Sequence, residues 1–201
     1  MKLCSPPIST LLLFIVLSFY NCKEFKTGQA VPSEMVYPDS VYIKMGKTIA
    51  QEAQSILAKN LMNAISKGGT EYAVEFCNTR AILLTDSMAH LLNTGIKRVS
   101  DRPRNQSNQA QEYEQDYINL LRDKMKIGEK PEPMVKEIDG KKMGLYPIIT
   151  NPLCLQCHGN TETNINSTTL EKIKKLYPAD KATGYGDNEL RGLWVIEMKK
   201  K

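Results

Sequence analysis

The spacing of apolar residues predicts two long helices at the start of the folded part of the chain. In residues 41–67, apolar positions recur at intervals of three and four, as on one face of an α-helix, and Gly68-Gly69 interrupts the series. The positions that define this face are Met45, Ile49, Ala53, Ile56 and Leu57. Thr70 can cap a second helix, which we expect to continue to about Asn93 and to stop before Gly95.

The rest of the chain alternates between shorter helical and strand patterns. Short or alternating apolar runs predict four strands, over residues 96–100, 134–138, 143–150 and 190–198. Helical spacing predicts two more helices, over residues 109–126 and 167–177. Asp139-Gly140 lies between the second and third strands and is a favoured two-residue hairpin turn. Early helices followed by meander-like strands indicate an α+β fold, in which helices flank an antiparallel sheet.

The first 40 residues have the character of an export signal and a tether. Lys2 provides a positive start, and residues 11–20 are nearly all apolar, a length that suits a secretory signal better than a membrane span. Cys22 follows this core as the lipidated cysteine follows the signal of a bacterial lipoprotein, so we expect lipidation there. An ordinary signal peptide and an uncleaved anchor remain open. The predicted organisation is a signal peptide (1–21), a lipoprotein tether (22–40) and one domain (41–201) in an exported, periplasmic, membrane-anchored protein.

Charge and length limit the partners. The 201 residues carry 27 Lys and Arg against 22 Asp and Glu, which gives a formal net charge of +5 at pH 7. This surplus is too small to indicate nucleic-acid binding, and export also disfavours it. The part after the signal is long enough for one domain with a substantial core. Because this part contains no apolar run of membrane-spanning length, we expect membrane contact only through the lipid.

The run Cys154-Leu155-Gln156-Cys157-His158 is the strongest chemical signal in the chain. Two thiols three residues apart with an adjacent histidine form the attachment signature of c-type haem. Each thiol forms a thioether with a haem vinyl group, and the imidazole becomes an axial ligand of the iron. A redox dithiol needs no histidine, and a zinc site needs a second ligand pair that the sequence does not show. We therefore expect one covalent haem c on Cys154 and Cys157, with His158 on the iron.

The remaining cysteines can be assigned without a disulfide. The chain has five cysteines, although an oxidising compartment would normally pair them. Cys4 leaves with the signal, Cys22 takes lipid, and the two motif cysteines take haem. Only Cys77 is left, and an unpaired thiol in an exported protein needs an explanation.

The second axial position of the iron has several candidates. Helical phase places Cys77 on the inward face of its helix and His90 roughly opposite, towards water. A thiolate from Cys77 would lower the reduction potential of the iron. Cys77 could instead be a small core residue, and His90, Met88, Met143 or an open position remain alternatives.

Four cations cluster in residues 97–105, beside the first predicted strand. Haem carries two propionates, and guanidinium groups bind carboxylates in a bidentate manner. Arg98 and Arg104 are the candidates for this contact. A solvated, charged loop explains the cluster equally well.

Several segments together resemble a family of single-haem c-type proteins with a PAS-like fold and a CxxCH motif, a bacterial haem-binding domain of unknown function that occurs in sensors and small exported proteins. The matching segments run in the family's order over most of the chain after the signal: residues 73–80, 97–100, 104–105 with 108, 146–148, 154–159, 177–180, 182–185 and 191–192. The resemblance implies a PAS-like antiparallel sheet flanked by helices. It also implies haem c on Cys154 and Cys157, with axial ligation by His158 and by a cysteine that aligns with Cys77.

Three functions follow from a haem of this kind. The first is a redox- or gas-sensing module in which the cysteine ligand is lost or exchanged, read by a separate signalling protein. The second is a periplasmic electron-transfer cytochrome c with a redox partner protein. The third, a peroxidase-type enzyme, is disfavoured because it needs an open iron position with a distal acid or base, and His90 is predicted to face away.

Overall fold

The computed structural model of the chain describes residues 37–199. The helices are α1 Asp39–Leu91, α2 Glu112–Lys126, α3 Pro152–His158 and α4 Ser167–Leu176. The strands are β1 Gly95–Val99, β2 Met134–Ile138, β3 Lys141–Ile149 and β4 Leu190–Met198. The predicted signal peptide, Cys4, Cys22 and most of the tether lie outside the described residues. Within residues 37–199, no helix is long and apolar enough to cross a membrane.

The first helix is broken where the two glycines predicted a break. Gly68 (φ −160°, ψ 29°) and Gly69 (φ 69°, ψ −170°) leave helical geometry inside α1. The positive φ of Gly69 lies in the left-handed half of backbone space, which glycine enters without a Cβ clash. Two differences from the prediction concern the ends: α1 begins at Asp39, inside the predicted tether, and ends at Leu91 rather than near Asn93.

The predicted cap at Thr70 makes a tertiary contact. The Thr70 hydroxyl lies 2.5 Å from Thr169 Oγ1, and the Asn166 amide donates to it at 3.1 Å. Both partners belong to the start of α4, so this buried polar group joins α1 to α4 just after the glycine break. Sequence spacing alone could not foresee a partner about one hundred residues away.

The four strands form one antiparallel sheet in the order β1-β4-β3-β2. Asp139 (φ 49°) and Gly140 (φ 75°) connect β2 to β3 with positive φ at both positions, as the predicted two-residue hairpin requires. The predicted α+β class, with helices flanking an antiparallel sheet and a long N-terminal helix, is confirmed. The PAS-like assignment stays a prediction.

The sheet separates two hydrophobic clusters because side chains alternate along β4. Trp194 and Ile196 pack with residues of α1, among them Ala50 and Ala53. Leu193 and Val195 point to the opposite face and pack with residues of α2, which include Ile118 and Leu121. Helices therefore cover both faces of the sheet, and the α1 side carries the candidate site.

Candidate functional site

The six residues that the sequence favoured for the haem site line one cavity of about 200 Å³. They come from separate parts of the chain: Cys77, Arg98, Arg104, Cys154, Cys157 and His158. The cavity lies between α1, the end of β1 with the segment that follows it, and α3. Its remaining wall is largely apolar and includes Leu57, Leu61 and Phe76 from the two parts of α1. An apolar cleft with a few convergent polar groups is the usual form of a cofactor site.

The CxxCH motif forms the short helix α3, which the sequence did not predict. Asn151 caps this helix: its Oδ1 accepts from the Cys154 amide at 3.2 Å and from the Cys154 thiol at 3.3 Å. Pro152 occupies the first turn, where its missing N–H costs nothing. Residues three apart share a helix face, so Cys154 and Cys157 both reach the cavity, and burial raises the pKa of the Cys157 thiol to about 11.

The structure fixes the tautomer of His158. Its Nδ1 lies 2.8 Å from the carbonyl oxygen of Ala182. Since a carbonyl can only accept a hydrogen bond, Nδ1 carries the proton and Nε2 keeps a lone pair. Burial, reinforced by Arg104 and Arg191, holds the pKa of His158 well below its usual value. Histidine binds metals as a neutral imidazole. One ring nitrogen then donates a hydrogen bond, and the lone pair of the other is available to the metal.

Arg104 holds the motif in place. Its Nε and Nη2 donate to the two carboxylate oxygens of Asp180, each at 3.2 Å, and the two side chains are only 11% and 9% exposed. Nη2 also donates to the Cys157 carbonyl oxygen at 2.6 Å. The Arg104 guanidinium is therefore already engaged by protein acceptors.

The cavity wall opposite α3, which contains Cys77 and Arg98, has fewer hydrogen bonds. Cys77 is half-buried on α1, as the helical phase predicts, and no hydrogen bond to its thiol is recorded among residues 37–199. Burial raises the pKa of Cys77, while the charges of Arg98 and Arg104 oppose that shift. The Arg98 guanidinium stacks on Trp194, 5.5 Å from the ring centroid, and has no hydrogen-bond acceptor in the described part of the chain. Burial lowers the pKa of Arg98 despite the nearby Cys77.

Comparison with known proteins identifies the family. The model of the Tll0287-like family matches residues 34–198, which is most of the chain. The chain belongs to the Tll0287-like family. No curated protein matches it.

A solved structure has the same fold as this Tll0287-like chain. It is the crystal structure of the cyanobacterial heme-protein Tll0287, which is 17% identical and superposes with a TM-score of 0.56. The match covers 82% of this chain and 98% of the other. At this identity the likeness shows a shared fold.

The other candidate ligands of the Tll0287-like chain do not line the cavity. His90 is exposed in the last turn of α1, as predicted. Met88 is buried in the cluster between α1 and the sheet, and Met143 packs against the cluster on the α2 side. In the described range, no group of three or more His, Cys, Asp or Glu side chains could hold a metal ion by itself.

Among the cavity residues that the sequence did not nominate are one tyrosine and one arginine. Tyr177, just after α4, and Arg191, in β4, both line the cavity. Arg191 Nη1 donates to Ser100 Oγ at 2.8 Å and to the Arg102 carbonyl oxygen at 3.2 Å. No spacing pattern marks either residue, because tertiary folding alone brings them to the motif. Their only sequence signal is that both fall in segments of the family resemblance.

Proposed function

We propose that this protein carries one covalent haem c and works as a redox- or gas-sensing module. Cys154 and Cys157 would form the thioethers, with His158 and Cys77 as the two axial ligands. The observation that supports this most strongly is the convergence of all four side chains on one cavity. When bound, the haem supplies an iron centre that changes oxidation state and accepts exchangeable axial ligands. The description of the structural relative as a heme-protein supports the same cofactor.

The residues present fit a haem in three respects. The His158 imidazole offers Nε2 while Nδ1 donates to a backbone carbonyl. Apolar side chains of α1, such as Leu57 and Phe76, line the cavity and suit the faces of a porphyrin. Arg98 has a guanidinium without a hydrogen-bond acceptor among residues 37–199, which suits a propionate. Arg104 already donates to Asp180 and Cys157, so Arg98 is the stronger candidate for that contact.

The sensing role rests on the contrast between the two axial ligands. His158 has a hydrogen bond that fixes its ring, whereas no hydrogen bond to the Cys77 thiol is recorded within residues 37–199. A ligand that the protein does not otherwise restrain is the one that a change of redox state or a small gas would displace. We propose that a separate signalling protein reads this exchange.

The proposed setting follows from the N-terminal sequence. We propose that the protein is exported to the periplasm and contacts the membrane through lipid on Cys22. Nucleic acid is not a proposed partner. Mass spectrometry of the membrane fraction tests this: a diacylglyceryl mass on Cys22 is expected, and an unmodified N-terminal peptide would contradict it.

The second candidate function is electron transfer to a redox partner protein. Cys154 is half-buried rather than enclosed, so an attached cofactor would have an edge near the surface, as a carrier needs. We do not propose an enzyme, because a peroxidase-type reaction needs a distal acid or base and His90 lies away from the cavity.

Covalent attachment is tested on full-length protein expressed with a c-type haem attachment system. Intact mass and the pyridine haemochrome spectrum should show one haem per chain with two thioethers. Replacing both motif cysteines by serine should abolish attachment, whereas Gln156→Ala, an exposed position between them, should retain it. Absence of covalent haem from the unmodified protein would overturn the proposal.

Rapid mixing of the reduced protein with carbon monoxide or nitric oxide separates the two functions. Fast binding with release of a ligand is expected for a sensor. An iron that stays closed in both oxidation states would favour the electron carrier. Peroxide turnover well above that of free haem would instead indicate an enzyme.

A further inference from the structure

Asp180 is a buried carboxylate that does not line the cavity but is connected to it. It lies in the segment after α4, and its side chain is 9% exposed. Besides the Arg104 fork, the Ala182 amide donates to its Oδ1 at 2.9 Å. This ion pair has two parallel hydrogen bonds and little exposure to solvent. It therefore fixes the relative position of its two backbone segments better than a surface ion pair does.

The segment that Asp180 restrains is the one that holds the imidazole of His158. Ala182 donates its amide to Asp180 and accepts at its carbonyl from His158 Nδ1 at 2.8 Å. Arg104, the other half of the ion pair, donates to the Cys157 carbonyl at 2.6 Å and to the Ala182 carbonyl at 3.4 Å. The pair thus acts on two consecutive residues of the motif: on Cys157 through Arg104, and on His158 through the Ala182 peptide, which both partners contact.

We propose that Asp180 is a positioning residue for His158, acting through Arg104 and the Ala182 peptide. It keeps the Ala182 carbonyl in line with Nδ1, so that Nε2 points in one direction into the cavity. The partner of the second nitrogen sets both the orientation and the basicity of a metal-bound imidazole. The inference rests on the proposed haem ligation by His158. If the ion pair only joined two segments, weakening it would leave the bond between iron and His158 unchanged.

The test compares variants of full-length, haem-loaded protein. Asp180→Ala removes every hydrogen bond to the carboxylate, and Asp180→Asn keeps an oxygen that can accept from the Ala182 amide. Asp187→Ala is the matched control. Asp187 is an exposed carboxylate in the same connection, and its recorded hydrogen bond is to its neighbour Asn188 at 3.1 Å.

The measurement is the iron–histidine stretching band in the resonance Raman spectrum of the reduced protein. A Cys77→Ala background leaves His158 as the axial protein ligand. A weaker hydrogen bond at Nδ1 makes the imidazole a poorer electron-pair donor to the iron, and this lowers the stretching frequency. We expect the band to shift down and broaden in Asp180→Ala, to shift less in Asp180→Asn, and to stay unchanged in Asp187→Ala.

Two outcomes distinguish this inference from the proposed function. An unshifted band in Asp180→Ala with haem attached would overturn the positioning role and leave the haem proposal standing. Absence of covalent haem from the parent protein would overturn the proposed function itself. If Asp180→Ala does not fold, Asp180→Asn, which loses the charged fork but keeps an acceptor for the Ala182 amide, should give the smaller downward shift. An unshifted band there would overturn the inference equally.

Discussion

The two sides of the cavity hold their candidate ligands in different ways. On one side, which we call the α3 wall, the motif helix and residues 180–185 surround His158 with a connected set of hydrogen bonds. On the other, the α1 wall, Cys77 lies on a helix beside Arg98, and no hydrogen bond to the thiol is recorded in the described residues. The candidate ligand of the α3 wall is therefore held in one orientation by hydrogen bonds, whereas the candidate ligand of the α1 wall has no such restraint among residues 37–199.

The difference has a local cause in each wall. The α3 wall combines a capped helix with the buried ion pair of Arg104 and Asp180, so backbone and side chains restrain one another. In the α1 wall, Cys77 belongs to the part of α1 that follows the break at Gly68-Gly69. Arg98, which lines the cavity with Cys77, contacts Trp194 by stacking. The proposed switch needs one fixed ligand and one exchangeable ligand, and an asymmetry of this kind between the walls supports it.

The largest expected effect comes from removing Cys77, the proposed second ligand. Cys77→Ser should abolish the low-spin thiolate signature of the ferric protein while haem stays attached, because the α3 wall carries the attachment. Electron paramagnetic resonance of the purified protein measures this. Thr79→Ser, on the exposed face of the same helix, is the control and should keep the signature. An unchanged signal in Cys77→Ser would assign Cys77 to the core instead of the iron.

Among the arginine substitutions, Arg104→Gln, which breaks the ion pair of the α3 wall, should lower the free energy of unfolding the most. Arg104→Gln leaves the buried Asp180 carboxylate without its charged partner, which costs about 3–5 kcal/mol. Urea unfolding of the protein, followed by circular dichroism, measures this loss. Arg104→Lys should recover part of it. A loss below about 1 kcal/mol, which is what an exposed ion pair contributes, would mean that the pair of Arg104 and Asp180 stabilises the α3 wall no more than a surface ion pair does.

Much of the fold follows from local patterns in the sequence. The strand β4 and the hairpin of β2 and β3 agree with alternation and with Asp139-Gly140. The break in α1 follows from two glycines, since a positive φ at Gly69 has a direct residue preference. These elements are predictable because each depends on residues close together in the chain.

The candidate site was only half predictable for the same reason. The helical phase of Cys77 and the CxxCH spacing are local, and they nominated residues that do line one cavity. The partners of the α3 wall are not local: Arg104 and Asp180 lie 76 positions apart. Arg104 was expected at a propionate because an unpaired cation and a paired one look alike in sequence. That contact stays a prediction, and Arg98 is the better placed of the two.

The glycine break gives a way to disturb the α1 wall without removing a ligand. In Gly69→Ala the added Cβ meets no atom of residues 37–199 within 4 Å, but the residue must adopt φ 69° with an extended ψ. This region costs a residue with a Cβ about 1–3 kcal/mol. We expect this loss in urea unfolding, together with a weaker thiolate signal. Gly128→Ala, also at positive φ with open space but after α2, is the control that should leave the signal unchanged. Equal thiolate signals in the two variants would mean that the glycine break has no influence on ligation by Cys77.

The smallest effect should come from Arg98→Gln, the counterpart in the α1 wall of Arg104→Gln. Arg98 has no recorded acceptor in residues 37–199, so its removal leaves no buried carboxylate unpaired and costs only the stacking on Trp194, about 0.5–2 kcal/mol. The reduction potential should fall, because a positive charge near the iron favours its reduced form. Urea unfolding and spectroelectrochemical titration measure the two effects, with Arg80→Gln, exposed on α1, as control. A stability loss as large as that of Arg104→Gln would erase the distinction between the walls, because Arg98 would then have to satisfy a buried partner as Arg104 does.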